Sequence, residues 1–337
     1  MAARRDTPVA SFVGREPDLD RIRRVLLVRL RSIGDTVLMT PCITALKRWR
    51  PELEIDVLLE PFCAPVLSAH PGVARVVEVE RSTGSRLGVA PILRRRGYDA
   101  VFNLFGGSTS ALLSLATGAP VRAGYAGHRP EWLATTRVTS SHHVWGRTDV
   151  HTVEHQLALV AGIGVPVDEA PPTSLAVAPH AAARLAARLA AHGLQTGDYA
   201  VFHPEASLPE KRWPAERFAR LAAELDARYG LRAVATGREA ETVIAAAGDR
   251  GVAMADLPLD ETIALVAGAA LFVGNDSGPA HIAAAFARPA VVIFGPSNEQ
   301  LWRPWSIGPW RILKAEQADG VSYDSVITAI DEVYSRV

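Results

Sequence analysis

Short apolar runs alternate with stretches at helical spacing, and the alternation breaks once and then starts again. The first series holds strand candidates at Val25–Val28, Ile55–Leu59, Arg75–Val79, Ala100–Leu104 and Arg122–Gly124. Helical candidates lie between them at Thr36–Trp49, Leu87–Arg96 and Ser110–Thr117, and His151–Gly162 closes the series. Pro41 starts or kinks the first helix. The break is "GIGVPVDEAPPTSLAVAPH", where Pro166, Pro171, Pro172 and Pro179 mark a linker. The second series then has strands at Tyr199–His203, Arg232–Thr236, Leu271–Gly274 and Ala290–Phe294. Its helices are Ala181–His192, Pro214–Tyr229, Glu239–Ala247, Asp260–Ala267 and Pro279–Phe286. Strand–helix repetition on both sides of a linker predicts an α/β chain of two parallel-sheet domains. Ligands of such sheets bind beyond the carboxyl ends of the strands, so a cleft between the domains is the expected site.

Composition narrows the function class. With 36 basic and 36 acidic residues, the total charge carries no nucleic-acid footprint. Residues 1–170 hold 21 Lys and Arg against 17 Asp and Glu, and the remainder hold 15 against 19. The first half is thus mildly basic, which suits an anionic partner and equally fits scatter in surface charge. Cys42 and Cys63 form no CxxC, which argues against a disulfide framework or a zinc ribbon. The N-terminus has no apolar signal region, and no run reaches about 18 apolar residues. A cytoplasmic protein is expected, with any membrane association peripheral. Residues 92–96, "ILRRR", read as a solvated charge run or as a contact with a membrane surface. Arg184 and Arg188, one turn apart, read as a solvated face.

Three stretches carry chemistry. In "LFVGNDSGPAHIAAAF" a strand ends at Gly274 and a helix begins near Pro279. Asn275, Asp276, Ser277 and Gly278 lie between, and the unpaired N–H groups of such a helix start form an anion site. Asp276 or Ser277 can equally be a plain helix cap. His281 lies one turn in. In "HPEASLPEKRWPAERF" a loop carries Ser207, Lys211 and Arg212 before Trp213–Pro214 opens a helix, and a lysine there can neutralise a phosphate. A surface lysine beside a packing tryptophan is the simpler reading of that stretch. In "ATGREAETVIA" Glu239 and Glu241 open a helix, as dipole partners or as acceptors for ribose hydroxyls. Dinucleotide, P-loop and nucleophile-elbow fingerprints are missing. So is any His and Asp cluster at metal-ligand spacing. Asp35, in "RLRSIGDTVLMTP", reads most simply as the cap of the helix that follows.

Read together, these blocks resemble the ADP-heptose:lipopolysaccharide heptosyltransferases, glycosyltransferase family 9. The likeness runs from Arg24 to about Tyr334. It is carried by "RVLLVRLRSIGDTVLMTPCITALKRWRPELEIDVLLEP", "HPGVARVVEV", "RRRGYDAVFNL", "VHTVEHQLALVAGIG", "KRWPAERFARLA" and "VGNDSGPAHIAAAFARPAVVIFGPSNEQLW", in the family's order. The resemblance implies the GT-B fold, two Rossmann-like parallel-sheet domains facing a central cleft. Residues 1–20 read as a flexible, charged lead-in and 166–180 as the linker, and the resemblance implies an acceptor domain at 21–165. A nucleotide-sugar domain at 181–321 and a C-terminal helix at 322–337, packing back toward the first domain, complete the expected layout.

The implied activity is inverting, metal-independent transfer of a heptose from ADP-heptose to a lipopolysaccharide core or related glycan. Asp35 falls on the family's catalytic aspartate and Lys211 on its phosphate-binding lysine. Asp276, Ser277 and Gly278 fall on the turn for the donor's diphosphate and sugar, with His281 and Ser207 on the donor side. Glu241 best matches the ribose-binding acid, with Glu239 beside it, and Leu259 falls near an adenine-packing position. Arg29, Ser32, Gly34 and Arg122 are expected on the acceptor side, and the basic N-terminal domain makes Arg122, Arg129, Arg137 and Arg147 candidates for meeting an anionic acceptor. Glu205 departs from the family, which commonly has glycine there, and Ser277 replaces a frequent threonine. The resemblance implies no metal and no cofactor beyond the donor. It implies an anionic lipid-linked acceptor, no nucleic acid, a monomer, and peripheral contact at the inner membrane face. The alternatives are a GT-B enzyme using a UDP- or GDP-sugar, such as a transferase or epimerase, and a non-catalytic nucleotide-sugar-binding protein.

Overall fold

The computed structural model describes residues 8–334, and the chain divides after Thr173 into two compact units. In the first, β1 (Phe12–Gly14) and β2 (Arg24–Leu30) precede α1 (Ile33–Leu38) and α2 (Thr40–Trp49). Next come β3 (Glu54–Leu59), β4 (Arg75–Glu78), α3 (Thr83–Arg96), β5 (Ala100–Asn103) and α4 (Ser108–Ala116). The unit closes with β6 (Val121–Tyr125), β7 (Thr136–Val138), α5 (Ser141–Trp145) and α6 (Thr152–Gly162). Among the described residues its sheet has the order β1-β7-β6-β5-β2-β3-β4, parallel except where β1 meets β7.

The second unit runs α7 (Pro179–Ala191), β8 (Tyr199–His203), α8 (Ala215–Tyr229), β9 (Arg232–Thr236) and α9 (Ala240–Ala247). It continues with β10 (Gly251–Met254), α10 (Leu259–Ala267), β11 (Leu271–Asn275), α11 (Gly278–Ala285) and β12 (Ala290–Phe294). It ends with α12 (Glu299–Trp302), β13 (Trp310–Lys314) and α13 (Tyr323–Tyr334). Its sheet is parallel throughout, in the order β10-β9-β8-β11-β12-β13.

Both sheets are laid out from the middle. In the first, β2 leads to β3 and β4 on one side, and the chain returns through β5 to β6 and β7 on the other. In the second, β8 leads to β9 and β10, and β11 leads to β12 and β13. Each sheet therefore has a point where strand order reverses, β2/β5 and β8/β11. The loops leaving those strands splay apart and open a crevice at the carboxyl edge. The central strands are apolar runs because helices cover both of their faces. Val25–Val28 and Phe272–Val273 are fully buried. Helix α8 buries Phe218, Leu221, Ala222 and Leu225, one stripe at helical spacing, and turns its charged residues outward.

Several expectations give way. The lead-in is ordered over 12–14, where β1 pairs antiparallel with β7, and Leu19–Arg21 forms a 3-10 turn. Residues 1–7 lie outside the described part. The expected first helix breaks at Met39 into α1 and α2, with Pro41 in the first turn of α2. Helix α13, expected to turn back to the first domain, packs into the core of the second. Val326, Ile330 and Val333 join Val291 and Ile293 there, because the apolar side of α13 covers β12 and β13. Arg184 and Arg188 are more than a solvated face. Their guanidiniums hold the buried carboxylate of Glu261 at 2.7 and 2.6 Å, and Arg184 also reaches Asp260 at 2.6 Å, which fixes α7 against α10.

Candidate functional site

The first cluster forms where β2 ends. Leu30 takes a φ of 60°, a left-handed conformation that costs a bulky residue roughly 1–2 kcal/mol. The buried Leu30 side chain anchors the turn that delivers Ser32, Gly34 and Asp35 to the carboxyl edge of the sheet. Ser32 holds the N-cap position of α1, and Asp35 lies in the first turn. Asp35 is therefore not the cap. Ser32 Oγ donates to Asp35 Oδ2 at 3.0 Å, and Arg29 forms an ion pair with Asp35 Oδ1. The pair runs through Arg29 Nη2 and buries Asp35 Oδ1, while Arg29 Nε has no hydrogen-bond partner. Oδ2, which accepts from the exposed Ser32 at the carboxyl edge where strand order reverses, is therefore the Asp35 oxygen placed to meet a substrate hydroxyl.

Arg29 spans the reversal point. Its Nη1 donates to the carbonyl of Leu104, just past β5, at 2.9 Å. The Arg29 and Arg31 guanidiniums lie 5.6 and 5.5 Å from the centre of the Phe105 ring. Nearby, His155 stacks on Tyr125, with centroids 4.5 Å apart. Burial first, then the surrounding positive groups, pushes the His155 pKa down to about 4, so its imidazole is neutral at pH 7.

Arg122 does not join this cluster. It pairs in register with Val101, well before the carboxyl edge, and its guanidinium donates to the carbonyls of Leu133 and Ala119 at 2.8 Å each. Its charge holds the 131–133 turn in place. Arg147 is likewise occupied, by Glu154 and Asp149, and Arg137 stands 3.9 Å from Glu131.

The second cluster gathers the loops leaving β8 and β11. Lys211 Nζ donates to Asp276 Oδ2 at 3.2 Å, across 65 positions of sequence. Ser297, after β12, donates to the same oxygen at 2.5 Å. Both donors load Oδ2 of this largely buried carboxylate. Ser277 occupies the N-cap position of α11, yet its hydroxyl turns back to the carbonyl of Asn275 at 3.1 Å. The first turn of α11 thus keeps its positive end without a side-chain cap, starting at Gly278. His281 is buried one turn further on.

Asn275 ties the two loops together. Its side chain accepts from Trp213 N–H at 3.0 Å and donates to the Pro204 carbonyl at 2.6 Å, fully buried. Replacing Asn275 with alanine would strand both backbone groups. We expect a loss of about 2–3 kcal/mol, read from the urea midpoint, with weaker donor binding because the Lys211 loop loses its tether. A midpoint equal to that of the unaltered chain would remove the tether from the account.

The remaining donor-side residues separate clearly. Ser207 is exposed on the Lys211 loop. Glu239 is held by Arg212 at 3.0 Å, whereas Glu241 lies exposed in the first turn of α9. Leu259 opens α10 and is half-buried. Glu205, the acid that departs from the family, turns to the β9 loop. Its carboxyl carbon would stand 3.1 Å from a Cβ on Gly237, and it pairs with Arg238 at 3.3 Å. Gly237 (φ 95°) is what leaves room for it. Sequence reasoning missed Ser297 and Asn275. Both stand in blocks that carried the resemblance, but a Ser or Asn in a turn has a simple local reading. Among the described residues no group of three His, Cys, Asp or Glu is disposed to hold a metal ion.

Comparison with known proteins finds relatives along most of the chain. The sequence model of glycosyltransferase family 9 (heptosyltransferase) matches residues 86–333. The chain is similar to lipopolysaccharide heptosyltransferase 3 of Escherichia coli strain K12, 28% identical over 294 residues, covering 82% of this chain and 84% of that one. Its fold is similar to that of Escherichia coli ADP-heptose lps heptosyltransferase II (TM-score 0.79, 25% identity, 93% of this chain and 99% of that one). It is also similar to a family 9 glycosyl transferase of Veillonella parvula DSM 2008 (TM-score 0.84, 21% identity, 96% and 99%).

Proposed function

Because the chain belongs to glycosyltransferase family 9 and has the GT-B fold, we propose that this glycosyltransferase moves a heptose from ADP-heptose to a lipopolysaccharide core or related glycan, with inversion and without a metal. The observation that carries the donor side is the meeting of Lys211, Ser297 and the uncapped α11 start around Asp276. The names of the similar proteins support the choice of heptose and of acceptor.

The reaction runs as one displacement. Asp35 takes the proton of an acceptor hydroxyl, whose oxygen forms a bond to the anomeric carbon from the face opposite the diphosphate. The bond from that carbon to the diphosphate oxygen breaks, and ADP leaves with the electron pair. Lys211 and the N–H groups at the start of α11 stabilise that developing charge, so no metal or cofactor is needed in this reading. Asp276 Oδ1 accepts from a sugar hydroxyl. The acceptor is an anionic, lipid-linked saccharide met at the inner face of the cytoplasmic membrane by a monomer. No helix among the described residues is long and apolar enough to cross a membrane.

Product mass spectrometry tests the proposal. ADP-heptose incubated with a panel of lipid A–core acceptors should yield an acceptor heavier by one heptose, with the anomeric configuration inverted and turnover unaffected by a chelator. Thermal-shift screening should favour ADP over UDP and GDP. Transfer from a UDP- or GDP-sugar alone, or no transfer to any acceptor, would overturn it.

The ribose-binding acid is assigned to Glu241, since Glu239 is occupied by Arg212. Glu241→Gln should weaken ADP binding about tenfold, or ~1.4 kcal/mol. Glu239→Gln should move it less than about twofold. Calorimetric titration with the two effects reversed would transfer the role to Glu239.

A further inference from the structure

Helices α3 and α4 lie side by side on one face of the first sheet. Val89 and Leu93 of α3 and Leu113 of α4 share a single core with Leu26, Val28 and Val101 beneath them. Their opposite stripes face solvent, where a surface helix ordinarily carries polar residues. Here the α3 stripe is Leu87, Gly88, Pro91 and Ile92, and the α4 stripe is Leu112 and Leu115. Leu87 is 70% exposed and Leu112 56% exposed. The 131–133 turn packs beside α4 with Leu133 inward and Trp132 75% exposed. Several large apolar side chains thus stand on one face, an arrangement that marks an interaction surface rather than scattered exposure.

The charge on that face is predominantly positive. Residues 82–130 contain six arginines and a single acid, Asp99. Asp99 is spent on the backbone N–H groups of Arg23 and Arg24, at 2.8 and 2.9 Å. Arg96 is spent on Asp56 and Arg122 on carbonyls. Arg86, Arg94 and Arg95 have no carboxylate partner among the described residues. Arg94 lies over Gly118, just past α4, where a Cβ would fall 1.6 Å from its Nη1, so it bridges the two helices. Glu131, at the border, is answered by Arg137 at 3.9 Å.

We propose that this α3–α4 face, with Trp132 at its edge, docks the chain on an anionic lipid bilayer. Apolar side chains flanked by unpaired arginines match an interface where acyl chains meet acidic headgroups, and an exposed tryptophan suits the headgroup level. A protein partner would more often be met by an apolar centre with a rim of evenly mixed charge, whereas acids border this face at two points, Glu80 beside the start of α3 and Glu131. The inference deepens the proposed acceptor chemistry by naming the surface that meets its membrane. It does not depend on catalysis.

The test uses the full chain without substrate. Cosedimentation with vesicles of equal parts phosphatidylglycerol and phosphatidylcholine should bring the chain down, and pure phosphatidylcholine should not. High salt should weaken binding. Arg94→Glu with Arg95→Glu should lower vesicle affinity at least about tenfold. Leu87→Ser with Ile92→Ser, which leaves charge unchanged, should also lower it, and Trp132→Ser should remove most of the blue shift of tryptophan emission on binding. Both double variants should keep turnover on a water-soluble acceptor, which separates docking from transfer. No binding to anionic vesicles would overturn the proposal, as would binding unchanged in both double variants. Self-association of the unaltered chain through this face, abolished by Leu87→Ser with Ile92→Ser and with no vesicle binding, would assign the surface to a second copy instead.

Discussion

Asp35→Ala should lower turnover by about 10²–10⁴-fold while leaving ADP affinity nearly unchanged. The expectation follows from where the carboxylate sits. Arg29 holds Oδ1 on the buried side, and Oδ2 accepts from Ser32 on the open side, where an acceptor hydroxyl would arrive. Asp35→Asn keeps the shape and the Ser32 contact but cannot take the proton, so it should be nearly as inactive as alanine. That pair of variants separates proton transfer from positioning. If Asp35→Asn retained most of the turnover, the carboxylate would be an orienting group and the base would lie elsewhere. Loss of the ion pair leaves Arg29 with its Leu104 contact and the Phe105 ring, so the thermal midpoint should move only a little.

The second large effect belongs to Lys211. Removing one preorganised contact to a leaving group typically costs about 2.7–4 kcal/mol, or about 10²–10³ in rate. Lys211→Ala should show that loss in kcat and also a weaker affinity for ADP. In the chain as folded, Lys211 is parked on Asp276, and a diphosphate must draw it away. Lys211→Arg keeps the charge but replaces a compact ammonium by a planar fork, so it should recover ADP affinity better than rate. Unchanged ADP affinity in Lys211→Ala would mean that the lysine never leaves Asp276, and its part would be structural.

Legibility followed burial. Strands β2, β8, β11 and β12 were visible as apolar runs because they lie inside their sheets. Strands β1, β7, β10 and β13 were not read, since edge or near-edge strands such as Thr136–Val138 and Trp310–Lys314 mix polar and apolar residues. What makes them strands is a neighbour already in place. At the site, Lys211 and Asp276 stood in recognisable blocks. Their contact joins the exits of β8 and β11, and that adjacency comes from strand order. Arg122 shows the reverse. It was plausible as an acceptor cation by residue type, but a register three to four residues below the carboxyl edge put its charge to structural use. Asp35 looked like a cap because strand–Gly–Asp–helix is what caps look like, but α1 begins two residues earlier, at Ile33, which puts Ser32 at the N-cap and Asp35 in the first turn.

Residues 12–14, in a segment expected to be a loose leader, cover the outer side of β7. A parallel sheet ending in a bare strand offers a row of unpaired N–H and C=O groups to any passing copy of the same chain. The antiparallel strand closes most of that row, and Ser11 and Thr139 fasten it with a hydroxyl–hydroxyl bond of 2.7 Å. The edge of the sheet thereby passes from β7 to a strand of three residues, and a chain lacking residues 12–14 would leave β7 itself as the edge.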